Sequence, residues 1–421
     1  MVGLPPVDRE LYKDSHPITY KICSLGHKGD NLDRYLLGRQ FLVVLVVFVV
    51  NQSGAPLSGA QIFGWPDWFH QIFLVTGLAM ILLTCMIGQL ATQVNASRCM
   101  LDFINTHFMT FTLYASLAIE FSGLLHASYL VAILVGKLAG KPIESFEDPR
   151  TPLQNLFFYG RCLLSVAILG FAFAVTLTAL FEGKTTMWAG VPEAVSVILF
   201  FFLMSVVGAL EAMQIAYFAV SKIPEDERGD GRFAKMSCNR LYSNMGHNLA
   251  GFMIGRQLCV VSCFFIIARV TTLNVEVGTG NNVFGVSDGL QEFFNTGLLA
   301  AVITTILGSI SWQLVAAAFP IAFLSNPITY ILLEICLFLE FTGLCHGAWV
   351  IAAIHKKFAG FQFDEVYIGT AEERRKNNHA DDDAKVHDAL HLQGSAYPAA
   401  GAHPVGSWDE DKDAAAKSFE A

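Results

Sequence analysis

Glu120-Phe121-Ser122-Gly123-Leu124-Leu125-His126 returns 220 residues later as Glu340-Phe341-Thr342-Gly343-Leu344-Cys345-His346. The match extends well beyond these seven positions. Residues 71–140 align with 291–360 without a gap and are identical at about 21 of 70 positions. Gln71, Thr76-Gly77-Leu78, Thr84, Gly88 and Gln93 meet Gln291, Thr296-Gly297-Leu298, Thr304, Gly308 and Gln313. Upstream, Asn31–Gln40 (NLDRYLLGRQ) matches Asn248–Gln257 (NLAGFMIGRQ). The chain is therefore read as two related units, each with a Gly-Arg-Gln tripeptide near the start of an apolar run.

Those runs set the solvent. The 421 residues are 53% hydrophobic and 15% charged, against about 25% charged in an ordinary soluble domain. Eight stretches hold enough apolar residues to span a bilayer, near 33–51, 69–93, 103–136, 155–181, 188–220, 248–273, 293–315 and 320–355. The expectation is an all-α, polytopic membrane protein of about eight transmembrane helices. Residues 1–32 form a cytosolic N-terminal segment and 33–154 a first repeat of three spans. Residues 155–360 form a second repeat of five spans, so the first unit lacks the first two helices of the second. Residues 361–421, rich in Ala, Asp, Gly, His and Lys, read as an acidic and mostly disordered cytosolic tail. The stretches at 103–136, 188–220 and 320–355 exceed one bilayer thickness, so they tilt, project into water or break.

Loop charge poses a conflict. Arg9, Lys13, Lys21, Lys28 and Arg34 precede the first span, and Lys222, Arg228, Arg232, Lys235 and Arg240 lie before the second tripeptide. Both segments look cytoplasmic, while 52–67 and 270–292 contain no Lys or Arg and look external. Five crossings separate the two basic segments, which would place them on opposite sides. Either one long stretch does not cross simply, or the repeats are inverted as in many secondary transporters.

Several side chains are candidates for chemistry. An Arg inside a span costs about 2.5–3.5 kcal/mol on insertion scales, so its repetition at Arg39 and Arg256 suggests a use. With Gln40 and Gln257 it offers fixed donors and an amide acceptor, and Gly38 and Gly255 allow another backbone to come close. The set suits a small polyhydroxyl or oxyanion solute; the plainer alternative is Arg reaching to lipid phosphate. Glu211 and Gln214 share a helix face and supply acceptors for a solute or cation, or else form a water-facing helix end. Glu120 and Glu340 are ion-coupling candidates; the alternative is structural pairing with Arg or His that locks the halves. His126 and His346 read as packing residues more than as ligands. Cys99 and Asp102 of Cys-Met-Leu-Asp are two groups of the metal-binding kind, too few for a zinc site. No metal site is expected.

Other features exclude classes. The nine cysteines fall mostly in apolar runs and read as small buried residues. The polar first 30 residues are unlike a cleaved signal peptide. No phosphate-binding loop, dinucleotide fingerprint, nucleophile elbow or HExxH occurs, so neither an ATP-driven pump, an enzyme nor an organic cofactor is expected. No basic stripe points to nucleic acid.

The paired Gly-Arg-Gln tripeptides, the Glu211-x-x-Gln214 helix before the second, Cys99-Met-Leu-Asp102 followed by Phe-Ile-Asn, and the run Lys28–Arg34 together resemble diatom silicic acid transporters over most of residues 10–360. The resemblance implies Na⁺-coupled uptake of silicic acid across the plasma membrane for a silica wall. It implies ten spans in two five-helix repeats, and carries the tripeptide roles onto Gly38, Arg39, Gln40, Gly255, Arg256 and Gln257. The family's Glu-Gly-x-Gln maps onto Glu211, Ala212 and Gln214, with Ala where Gly is usual; no first-half copy occurs. The family's long C-terminal coiled coil looks short or missing. The expected partners are silicic acid, membrane lipid and a second copy in a homo-oligomer. Two alternatives stand beside this: a channel or carrier for another small solute or anion, and a non-transporting regulatory homologue.

Overall fold

The computed structural model describes residues 4–54, 64–138, 140, 150–221, 231–242 and 247–369. Its helices are α1 (Pro17–Gly26), α2 (Asn31–Ser53), α3 (Leu78–Arg98), α4 (His107–Phe121), α5 (Ala127–Leu138), α6 (Pro152–Phe181), α7 (Glu193–Ser221), α8 (Arg232–Tyr242), α9 (His247–Thr271), α10 (Leu298–Ala318), α11 (Pro327–Phe341) and α12 (Gly347–Ala359). The protein is an all-α, polytopic membrane protein. Among the described residues, six helices are long and apolar enough to cross a bilayer, against the eight stretches expected: α2, α3, α6, α7, α9 and α10.

The two missing crossings are the long stretches at 103–136 and 320–355, which break. In each, the chain turns at the glycine of the shared Glu-Phe-Ser/Thr-Gly motif, Gly123 (φ 86°) and Gly343 (φ 73°). That left-handed conformation is cheap for Gly and strained for other residues. The helices on either side, 15 and 12 residues for α4–α5 and 15 and 13 for α11–α12, are about 18–23 Å long, short of a hydrocarbon core about 30 Å thick.

Contacts between chain ends show what these pairs do. The C-terminal ends of α2 and α9 meet on one face: Gln52 Nε2 donates to Asn295 O (2.9 Å) and Phe48 packs on Gly297. The α6–α7 turn lies there too, with Thr186 N bonded to Thr272 O (3.0 Å) and Trp188 Nε1 to Val75 O (3.1 Å). The opposite face carries α1, α8 and the start of α2. There Asp364, beyond α12, accepts from Met100 N (2.9 Å) and Leu101 N (2.8 Å), just beyond α3. Ser325, just before α11, packs on Gly231 beside α8. So α11 leaves from the same face to which α12 returns. The pair is a re-entrant hairpin, with its turn at Cys345 beside Cys85 inside α3 (Sγ–Sγ 3.8 Å). In the α4–α5 turn, the broken backbone is satisfied by α6. Ser165 Oγ donates to Leu124 O (2.7 Å) and accepts from Ala127 N (2.9 Å). Irregular backbone at membrane depth is tolerated where protein supplies such partners.

The charge conflict disappears with this topology. Four spans, α2, α3, α6 and α7, separate the two basic segments, so Lys21, Lys28 and Arg34 lie on the same face as Arg232, Lys235 and Arg240. The equivalent helices α2 and α9 run in the same direction, so inverted repeats are not the explanation.

Backbone features recur at aligned positions. π-helical turns occupy Thr84–Leu90 and Ile306–Ile310. Gly38 lies against the carbonyl of Ser116 on α4, and Gly255 against that of Cys336 on α11, the residue aligned with Ser116. Phe265 packs on Gly77 as Phe48 packs on Gly297. The packing is also crossed. The end of α3 lies on α12, and the end of α10 lies on α5.

Residues 361–369 are ordered, although the tail is expected to be mostly disordered from 361; residues 370–421 lie outside the described residues. Asp102 ties the segment down. It accepts from Gln362 N (2.7 Å), Tyr367 Oη (3.3 Å) and His16 Nε2 (3.2 Å). Cys99, beneath this strap, is fully buried, and burial pushes its thiol up to about 11. Hydrogen bonds to a charged group contribute about 1.5–3 kcal/mol each. Asp364→Ala is therefore expected to release the strap. The check is maleimide labelling of Cys99 at pH 7.5, absent in the parent protein and present in the variant.

Candidate functional site

The second tripeptide sits at the centre of a buried polar cluster. Arg256 is 2% exposed and Glu211 7% exposed. Arg256 Nη1 donates to Glu211 Oε1 (3.2 Å), and its Nη2 to Gln257 Oε1 (3.0 Å). Gln257 Nε2 donates to Gln89 Oε1. Gln313 Nε2 donates to the second carboxylate oxygen of Glu211 (2.8 Å). Five side chains from α3, α7, α9 and α10 thus share one network. Gln214, one turn beyond Glu211, is also buried.

Each residue arrives there for a local reason. Close packing of α9 on α11 at Gly255 holds the tripeptide inside the bundle. α7 lies against α9 and α10, which turns Glu211 onto Arg256. The π-helical turn widens α3 at Gln89, because the extra residue per turn shifts side chains out of the α-helical face.

The electrostatics follow from burial. Charges removed from water persist when paired and hydrogen-bonded. Arg256 and Glu211 cancel each other, which leaves a neutral site rich in amide groups. Arg256 Nε is buried without a hydrogen-bond partner among the described residues. A small hydroxylated solute can accept from that donor and from amide N–H groups, and donate to the Glu211 and Gln oxygens.

The first tripeptide is set differently. Arg39 is half-buried, and among the described residues no carboxylate bonds to it. Gln40 is buried. Ser309, aligned with Gln89, lies on a π-helical turn that packs against α7 and α2, and its Oγ has no hydrogen-bond partner among the described residues.

Glu120 and Glu340 lie apart from the cluster and make pairs within their own hairpins. Tyr129 Oη donates to Glu120 Oε1 (3.2 Å), with His126 Nε2 3.6 Å from the same oxygen. His346 Nε2 lies 3.2 Å from Glu340 Oε1. These Glu–His pairs do not bridge the halves. No group of three or more His, Cys, Asp or Glu able to hold a metal occurs among the described residues. Asp102 is a structural hub of the strap.

Gln89 and Gln313 are the site residues that sequence reasoning did not assign. Gln313 was visible as the partner of Gln93 in the repeat. Gln89 aligns with Ser309, so a search for repeated polar residues passes over it.

The family described as Silicon transporter matches residues 1–418. The chain belongs to the silicon transporter family. No curated protein and no solved structure matches it. Membership makes the transporter a carrier of a small solute, silicic acid, and an integral membrane protein.

Proposed function

We propose that the transporter moves silicic acid through the Glu211–Arg256–Gln257–Gln89–Gln313 cluster, coupled to Na⁺ entry, from outside the cell toward a silica wall. The observation that carries this reading is the buried network itself. It joins an ion pair to three amides, contributed by helices of both aligned units. Silicic acid is neutral near pH 7 and covered in hydroxyls, so a charge-balanced set of donors and acceptors suits it. Its neutrality also means that uphill uptake needs a coupled ion. Glu120 and Glu340, in the re-entrant hairpins, are the proposed oxygen ligands for Na⁺, which prefers oxygen donors. Na⁺ would then compete with the His126 and His346 contacts. The face with α1 and α8 is assigned to the cytoplasm, because the basic residues collect there, and the membrane is the plasma membrane. Assembly as a homo-oligomer belongs to the same reading.

The test is uptake of germanic acid, a silicic acid analogue, into proteoliposomes holding the purified protein. Uptake is expected with an inward Na⁺ gradient and to fall to the protein-free level with K⁺ in its place. Equal uptake under both gradients would remove the coupling, and no uptake would remove the transport reading.

A further inference from the structure

Between the cluster and the face that carries α1 and α8, two aromatic rings meet. α7 runs toward that face and α9 away from it. Tyr217 therefore lies beyond Glu211, and Phe252 before Arg256, by about 9 Å and 6 Å along the helix axes. Their rings touch edge to face, with centroids 5.2 Å apart and planes at 80°. Tyr217 is 1% exposed and Phe252 0%. The spacing of Phe252 and Arg256 puts both on one side of α9. Gln214, also buried, stands between Glu211 and Tyr217 on α7. α8 reaches the ring pair from the face: Tyr242 Oη donates to Tyr217 O (2.6 Å), and Ser237, itself fully buried, approaches Tyr217 Oη. The first unit has a ring at the aligned point, Tyr35, one turn before Arg39.

A permanently packed core leaves few polar groups unpaired. Here Tyr217 Oη and Ser237 Oγ are both buried, and neither makes a hydrogen bond among the described residues. The closed arrangement thus carries the cost of two unsatisfied hydroxyls, and moving α8 away from Tyr217 would relieve it by hydrating both. We infer that Tyr217 and Phe252 form the barrier between the cluster and the cytoplasmic face, and that solute leaves past them when the rings part. The inference rests on the proposed binding of solute at Glu211 and Arg256. On the way out, Gln214 and then the Tyr217 and Ser237 hydroxyls offer donors and acceptors to a hydroxylated molecule.

A labelling test needs no solute, so its failure is distinct from failure of the transport reading. Gln214→Cys places a thiol between the cluster and the rings. Its reaction with a water-soluble maleimide is followed in the purified full chain in detergent. Mass spectrometry of the labelled peptide separates it from the native cysteines. Phe252→Ala and Tyr217→Ala, each added to Gln214→Cys, are expected to speed this labelling at least tenfold. Tyr217→Phe keeps the ring and should keep the slow rate. Phe264→Ala removes an equally buried ring on the other side of Arg256 and should also leave the rate unchanged. The comparison uses the variants whose size-exclusion profiles match the parent's. Labelling at least tenfold faster in the Phe252→Ala and Tyr217→Ala proteins than in Phe264→Ala upholds the inference, and any smaller difference overturns it. If the labelling result holds while germanic acid uptake is absent from the parent, the barrier stands and the transport reading falls.

Discussion

Glu211→Ala lowers the stability of the folded transporter by about 3–5 kcal/mol, the cost typical of leaving one member of a buried ion pair alone. Arg256 is then a buried cation whose Nε already lacks a partner among the described residues, and Gln313 loses the oxygen to which it donates. Removing both charges is less harmful than removing one. Glu211→Ala combined with Arg256→Ala is expected to recover more than half of the lost stability, because no uncompensated charge remains. Germanic acid uptake should be absent from the single and the double variant alike, since the double variant regains the fold and not the site. Thermal unfolding in detergent, followed by the loss of the monodisperse peak, measures the first effect. A double variant no more stable than the single would show that the pair does not hold the cluster together.

The next largest effect is expected at Gly255. A Cβ there would fall well inside the contact radius of the Cys336 carbonyl oxygen. The obstacle is helix backbone, which cannot rotate away as a side chain can. Gly255→Val therefore has to push α9 off α11. Overpacking a well-filled core costs about 1–3 kcal/mol, and more where backbone must move. The displacement also carries Arg256 and Gln257 away from Glu211 and Gln89, so uptake should fall by more than stability does. Gly38→Val meets the Ser116 carbonyl in the same way. Its effect on uptake should be smaller, because the first tripeptide takes no part in the Glu211 network. Equal losses of uptake in the two variants at equal protein yield would contradict that difference.

Much of this was legible in the residues. The tripeptides and the Glu-Phe-Ser/Thr-Gly motifs announced the repeat, and Glu211-x-x-Gln214 lies on the helix that brings the buried carboxylate to Arg256. Gly123 and Gly343 carried the break signal for the long stretches. Hydropathy could not use it, because a 34-residue apolar run reads alike as one tilted span or as a re-entrant hairpin. The direction of the hairpins depends on contacts between residues far apart in sequence, such as Asp364 with Met100 and Leu101. Basic loop residues already hinted at the answer by disagreeing with a simple count of spans. The role of Gln89 was not readable, since it depends on a π-helical turn and on packing between the two units. Glu120 and Glu340 were conspicuous as intramembrane carboxylates, yet the network formed around Glu211, which α7 places where it packs against α9 and α10.

The central claim is that the solute binds at a network made jointly by the two units. Gln89 is the first unit's contribution to it and touches the second tripeptide through Gln257. The most direct measurement is Na⁺-driven germanic acid uptake into proteoliposomes by Gln89→Leu, which keeps the side-chain volume and removes the amide. At parent-like protein incorporation, uptake is predicted to fall at least tenfold. Uptake equal to that of the parent would contradict the account.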